Sequence, residues 1–577
     1  MPTRLSRWVS SPPAIWAALI YLVAALALFG GPLFEGGNAC VCRGADATIP
    51  LWGFEWFPYA IAHGLNPFWT HVIYVPKGFN VAIATVMPGA ALLLAPITFT
   101  AGPLAAYNVA VIASPALAAF FAFLLCRRLT GGRFWPALLG GWLFGFSDYV
   151  LGQMIEHLHM TVVFLVPAIV HIVLRAQAGE LSRRRFIALM TLALVLQISF
   201  ATELFASLTV FGAVAFGVAY LTVDQRTREQ LRPLLGQIVC AYALAALITS
   251  PFLYYAVQPG GLPIVPSRSE NFSAALMSFI VPPRLMEVGG STFVHTTGAF
   301  SAGIVEGGTY LGLPLLAIVA LAARGAWRRP GGRALLITGL ITVVCSMGSY
   351  LQLVHHTHVP LPWWPASHSP LTGLMIPARF AMFTALAVAV LAAWWLARTR
   401  RQPLAWGLAL LSVAFLWPAV QRGYWKYHKP LPALFTSSRY GNVIGSHDVA
   451  LIVPVGPKGY SMLWQAETGL RFEMASGYLP PPESPNPYKH DRIYPTLADG
   501  TLVPHVERAA EKFLAASHVT VAVVDLAVAP ARPWLRILER LGWRPQRVGG
   551  AIVLRPAGSA QAAAWRDRSP TPRRTQA

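Results

Sequence analysis

Charge is scarce in this chain, and acidic charge most of all. Its 577 residues include 23 Asp and Glu against 44 Lys and Arg, and charged residues make up only 12%. With 55% hydrophobic residues and a mean hydropathy of +0.53, this composition excludes a string of water-soluble domains. Cysteine is also rare, at five. Cys126, Cys240 and Cys345 lie in or beside apolar runs and read as packing residues. Cys40 and Cys42 sit in a polar loop. They are too few for a zinc site, and a bridge across one residue is strained. They read as thiols, with a local disulfide as the alternative. The first apolar run has no small-residue cleavage site after it, so it reads as a retained helix. The net charge of +21 does not point to nucleic acid, because the arginines cluster in short loops between apolar runs.

What is abundant is apolar sequence. Runs of about 17 to 22 residues recur as far as Val420, which is membrane-helix length. They predict a polytopic α-helical membrane protein with about eleven transmembrane helices. Basic loops at 127–133, 175–185, 224–232, 324–333 and 398–401 fall on the side of the N-terminus, which the positive-inside pattern makes cytoplasmic. The loops around Asp46, 147–159, Glu203, 258–302 and 355–377 fall on the other side. The first outer region, 32–102, is long and polar. Within it, 52–63 carries aromatics on one face and predicts a helix lying in the membrane interface. The stretch 81–100 reads as a partly inserted hairpin rather than a crossing. Residues 1–420 thus form the membrane domain. From 421 to 557 the pattern changes to strands (449–455, 519–525, 549–555) alternating with helices (507–516, 533–541). This predicts a C-terminal extracytoplasmic α/β domain. The segment 558–577 reads as a disordered tail.

Ionisable groups at the outer surface of so apolar a protein are the candidates for chemistry. Asp46, in Gly-Ala-Asp-Ala-Thr, can serve as a general base, with burial tuning its pKa. The plain alternative is a turn cap. The second outer loop holds Asp148, Glu156, His157 and His159. Glu156 and His159 share a helix face, and either histidine can position substrate or phosphate. A divalent cation there needs a third ligand, from Asp46 or Glu203. The alternative is histidines bonded to backbone or water. Glu203 is costly unless paired. Arg379, an isolated outer arginine, suits a phosphate, or else a salt bridge to Glu203 or Glu306. Arg268 and Arg284 are further phosphate candidates. Glu55, Trp56 and His63 on the interfacial segment are candidate substrate contacts. Trp52, Trp56, Trp69, Trp363 and Trp364 can guide a lipid or stack on a sugar, or form an ordinary aromatic belt.

Four stretches taken together resemble a known family. They are GAD followed by WGFEWFPYAIAHGLNPFW and YVPKGFN; FGFSDYVLGQMIEHLHMT; GTYLGLPLLA at 308–317; and IPARF at 376–380. In this order the chain resembles the GT-C superfamily of polytopic glycosyltransferases, which take sugar from a polyprenyl-phosphate carrier on the outer face. The resemblance implies that Asp46 is the first-loop catalytic carboxylate and that Asp148 or Glu156 fills the second acidic position. Glu-His-Leu-His stands here where relatives have Gly-His. It also implies that the outer α/β domain helps choose the acceptor. The expected function is transfer of a sugar from a polyprenyl-phosphate donor to a glycan, lipid or protein acceptor, on the extracytoplasmic face of a bacterial inner membrane. Asp46, Glu156 and His157 would be catalytic. Arg379, Glu203, His159, Asp148, Glu55, Trp56 and His63 would bind substrate. No cofactor is assigned, and a divalent cation is the one candidate. One rival is a flippase for a lipid-linked glycan, which predicts mid-membrane charges and internal repeats. The other is a non-catalytic envelope assembly protein.

Overall fold

The computed structural model describes residues 12–258, 271–354, 356–369, 372–436, 443–479, 492–526 and 531–558. Arg268 and the expected tail lie outside the described residues. The helices that organise the molecule are α1 (Pro12–Phe29), α2 (Thr48–Ala62), α3 (Pro103–Leu129), α4 (Phe134–Gly145), α5 (Leu165–Gln177) and α6 (Arg183–Phe200). They continue with α7 (Thr202–Thr222), α8 (Gln225–Ile248), α9 (Leu313–Trp327), α10 (Pro330–Ser346), α11 (Ala381–Leu396) and α12 (Gln402–Phe415). Six stretches are long and apolar enough to cross a membrane, and α9, α10 and α12 are shorter apolar helices. The outer helices expose their apolar side chains: Leu221 is 74% exposed, Leu247 69% and Val239 61%. A surface of that kind is stable against lipid and costly in water. The chain is a membrane protein.

The arginine-rich ends come together. Arg128 pairs with Glu180 at 2.7 Å, Arg398 donates to the Leu129 carbonyl at 3.2 Å, and Arg133 donates to the Ala397 carbonyl. The loops after α3, α5 and α11 therefore share one end of the bundle. At the core, α4 lies directly on α3. A Cβ on Gly145 would meet the Pro115 carbonyl oxygen at 2.4 Å, and one on Gly141 would meet the Ala119 carbonyl oxygen at 2.5 Å. Small residues four apart let two membrane helices approach backbone to backbone.

One expected element differs. Helix α2 exists, but it is not interfacial: Trp52, Phe54, Trp56 and Phe57 are all buried inside the protein. The Trp52 indole donates to Gln465 Oε1 at 2.8 Å, on α13 (Ser461–Glu467). A protein partner, not lipid, receives the aromatic face. The stretch 81–100 breaks into short helices Pro88–Leu93 and Ala95–Ala101. Each is about 10 Å long, against an apolar bilayer core of about 30 Å.

The strands that bear on the site are β1 (Ala39–Cys40), β2 (Tyr427–His428), β3 (Val449–Val453), β4 (Glu473–Met474), β5 (Val521–Asp525), β6 (Trp543–Val548) and β7 (Ala551–Pro556). The C-terminal sheet runs β6-β7-β5-β3-β4. β3 is parallel to β4 and β5, and β7 is antiparallel to β5 and β6. β1 and β2 pair antiparallel, so the chain after α12 returns to the loop after α1. A disulfide joins Cys40 and Cys42 where the sequence favours thiols. Their Cα atoms are 5.2 Å apart, inside the ordinary range for a bridge.

Gly145→Ala drives a methyl group into the α3 backbone. It should destabilise the solubilised protein by about 1–3 kcal/mol and lower its thermal midpoint. Gly217→Ala, where a Cβ meets nothing, should not lower it.

Candidate functional site

Asp46 does not cap its own turn. Thr48 does that work, its hydroxyl donating to the Ala45 carbonyl at 2.6 Å, and α2 begins with no side-chain cap. The Asp46 carboxylate is left to reach across the molecule. Its Oδ2 lies 3.1 Å from His157 Nε2, and its Oδ1 accepts the Tyr478 hydroxyl.

The loop carrying Asp46 is fixed from three sides. The Arg43 amide donates to the Ile155 carbonyl at 2.7 Å. Asn108, on α3, accepts from the Val41 amide at 3.1 Å and donates to the Ala39 carbonyl at 2.9 Å. Lys429, fully buried, donates its ammonium to the carbonyls of Gly44 at 2.5 Å and Arg43 at 3.2 Å. The rings of Tyr427 and Tyr460 flank that ammonium, at 5.7 and 5.2 Å. Burial pushes its pKa down to about 8.

Behind Asp46 runs a chain of alternating charge. His157 Nδ1 lies 3.0 Å from Gln153 Oε1 and 3.2 Å from Glu306 Oε1. Gln153 also donates to Glu306 Oε2 at 2.8 Å. Arg379 holds Glu306 through two nitrogens, Nε at 2.8 Å and Nη2. Its third nitrogen, Nη1, holds Glu203. Burial alone would lower the His157 pKa, but the Glu306 and Asp46 carboxylates override it and raise it to about 9. Burial alone would raise Asp46, but the His157 bond holds it below the usual carboxylate range. Glu306 is held well below its usual value, where Arg379 and His157 outweigh burial. Imidazolium between carboxylates is thus the resting state.

Glu156 lies against Gly44, where an added Cβ would meet its Oε1 at 1.9 Å. Burial raises its pKa. Single ligand atoms of Asp46, Glu156 and His157 lie within 4.8 Å of one another, a spacing a cation can use. The donor set does not fit one well, because both His157 nitrogens already face carbonyl or carboxylate oxygens and hold protons tightly. Beside this cluster lies a cavity of about 480 Å³, lined by Arg43, Arg284, Asp148, Glu156 and Tyr424 among others.

The other candidates fall differently. Asp148 lines the cavity and accepts the Tyr310 amide at 3.0 Å, and burial raises its pKa to about 7. His159 is buried, its ring 5.8 Å from that of His157. Arg379 and Glu203 form the salt bridge that was the alternative to phosphate binding. Helix α2 carries Glu55 about 13 Å and His63 about 25 Å away from Asp46 along its axis. Glu55 lines a separate cavity of about 460 Å³ with Glu467. Trp56 is buried, stacked on Trp52 and donating to the Pro67 carbonyl. His63 is exposed and stacked on Tyr59. None of these three joins the Asp46 cluster. Sequence reasoning missed Gln153, Lys429 and Tyr478, and saw Glu306 only as a partner for Arg379. The one signal for Lys429 is its place, with Lys426, in a short aromatic segment after α12.

A family model described as a domain of unknown function (DUF6311) matches residues 18–422, and the chain belongs to that family. No curated protein matches the sequence. Solved structures do match. The arabinofuranosyltransferase AftD from Mycobacteria is similar over 95% of this chain and 40% of its own, at 14% identity and TM-score 0.61. ArnT from Cupriavidus metallidurans bound to undecaprenyl phosphate is similar over 94% of this chain and 98% of its own, at 13% identity and TM-score 0.50. The Archaeoglobus fulgidus oligosaccharyltransferase in complex with Zn and sulfate is similar over 89% of this chain and 68% of its own, at 14% identity and TM-score 0.50. The fold is that of the GT-C superfamily.

His157 links the site to pH. Its folded pKa is raised, so its stabilisation is complete below about 6.5 and is lost as pH rises through about 9. The gap in thermal midpoint between wild type and His157→Gln should therefore be widest near the lower value and shrink toward the higher. A gap that does not vary across that window would show that His157 is not a charged link.

Proposed function

We propose that this chain is a membrane glycosyltransferase that moves a sugar from a polyprenyl-phosphate donor to a hydroxyl-bearing acceptor, with Asp46 as general base. The observation that carries this reading is the Asp46 carboxylate, free of its own turn and paired with the buried His157, in a GT-C fold. The relatives of similar fold include a structure named for bound undecaprenyl phosphate and one named as an arabinofuranosyltransferase, which supports a lipid-linked donor.

Asp46 is ionised at neutral pH and offers Oδ1 to the acceptor's proton as the acceptor oxygen attacks the sugar's anomeric carbon. His157 orients the carboxylate through Oδ2, and Glu306 and Arg379 fix His157 in turn. The carrier phosphate leaves with the bonding electrons. Arg379 spends three nitrogens on carboxylates, so the assignment of the phosphate moves to Arg43 and Arg284, which line the cavity beside Glu156. Forked guanidinium donors suit phosphate oxygens. Glu156 and Asp148 on the same wall suit sugar hydroxyls. The site lies at the end of the bundle away from the arginine-rich loops. The positive-inside rule then puts it, and the C-terminal sheet, on the extracytoplasmic face of a bacterial inner membrane. A glycan, a lipid or a protein hydroxyl can serve as acceptor.

Asp46→Asn should lower transfer by about 10²- to 10⁴-fold while expression and insertion stay unchanged. Complementation of a deletion strain, read by mass spectrometry of envelope glycolipids, checks this, and a restored wild-type profile would end the proposal. Arg43→Ala and Arg284→Ala should raise the donor KM about tenfold or more each, with a smaller change in kcat.

A further inference from the structure

The two oxygens of Asp46 are not equivalent. Oδ2 faces His157 Nε2, and Oδ1 accepts the hydroxyl of Tyr478. Burial raises the Tyr478 pKa, and the negative charge of Asp46 adds to it, so the phenol is a donor throughout the working pH range. Its backbone is firmly anchored. Just before it, the Met474 amide donates to the Val72 carbonyl at 2.9 Å and the Ala475 amide to the Ala450 carbonyl at 3.0 Å. The Tyr74 hydroxyl donates to the Gly477 carbonyl at 2.8 Å, and Leu479, just after, is buried. The segment that follows β4 therefore delivers a hydroxyl group from the edge of the C-terminal sheet to the one oxygen of the base that His157 leaves open.

An acceptor alcohol needs that same oxygen. Its O–H must point at a carboxylate oxygen before the proton can move, and Oδ2 is taken. We propose that Tyr478 is a specificity residue that stands in for the acceptor hydroxyl. It caps Asp46 Oδ1 until an acceptor displaces it, and so keeps water from using the base. The inference rests on Asp46 being the base.

The two competing reactions differ only in the attacking oxygen. In transfer, the acceptor oxygen bonds to the anomeric carbon, its proton goes to Oδ1, the bond from that carbon to the phosphate oxygen breaks, and lipid phosphate leaves with the electron pair. In hydrolysis, water takes the acceptor's place and the products are free sugar and lipid phosphate. A tyrosine on Oδ1 blocks the second reaction, because a single water molecule lacks the binding energy to displace an anchored side chain. A larger acceptor gains that energy from contacts elsewhere.

The test uses the full chain in lipid nanodiscs with radiolabelled undecaprenyl-phosphate pentoses and hexoses and no acceptor. Tyr478→Phe should raise release of free sugar about tenfold over wild type and keep transfer when an envelope acceptor extract is added. Unchanged release, or equal loss of release and transfer, would overturn the proposal and make Tyr478 a packing or positioning residue. If wild type turns over no donor even with the acceptor extract present, the glycosyltransferase reading fails. The cap is then decided without turnover, from the fluorine NMR signal of fluorotyrosine incorporated in place of Tyr478. A shift on addition of concentrated methyl glycosides, absent in Asp46→Asn, would retain Oδ1 as a hydroxyl site. A signal that methyl glycosides leave unmoved would overturn it.

Discussion

The line of charge from Asp46 through the buried His157, Glu306 and Arg379 to Glu203 is the constraint on which the rest depends. Each charge is flanked by its opposite, and the line holds three negative groups and two positive ones. Such an arrangement is tolerable away from water only when every member is present, since removing one partner strands another at a cost of about 3–5 kcal/mol. Its members come from the loop after α1, the short segment before α5, the start of α7, the segment before α9 and the turn that opens α11. One electrostatic requirement thus registers five distant stretches against one another. The close backbone contact of α3 and α4 supplies the rigid floor on which that registration rests.

The same line explains the division of labour proposed for the arginines. Arg379 looked available in the sequence because no basic cluster surrounds it. In the fold it is consumed by two carboxylates, and its work is to hold Glu306, and through it His157. Arg43 and Arg284 are the guanidinium groups that border open space beside the acidic cluster.

Much of this was legible and some was not, for physical reasons. Among the described residues the apolar runs read from the sequence fold as helices, six stretches of them long and apolar enough to cross a membrane, because apolar length is a local property. The strands Val449–Val453 and Val521–Asp525 follow from buried β-branched runs. Trp543–Val548, polar and at the sheet edge, and the two-residue Glu473–Met474 carry no such pattern. Asp46, His157 and Glu306 could be suspected because acidic and imidazole groups are rare near apolar helices. The aromatic helix α2 was misassigned to the membrane interface because an interface and a protein core select the same residues. Only the partner decides, and Gln465 lies 413 residues away from Trp52. Lys429 and Tyr478 were invisible for the same reason, at 385 residues from Gly44 and 432 from Asp46.

Those separations bear on how the molecule comes to be made. The loop with Asp46 emerges early, just after the first helix, yet two of the groups that hold it, Lys429 and Tyr478, are synthesised only after α12. Loop closure over 385 and 432 residues is slow and comes late. While the remaining helices are still being inserted, the carboxylate has neither the lysine clamp on its loop nor the hydroxyl on its oxygen. The site is therefore incomplete until the segment after α12 has been made, and a chain truncated just after α12 carries the acid without the lysine or the hydroxyl. A finished pocket thus reports that synthesis has passed Tyr478.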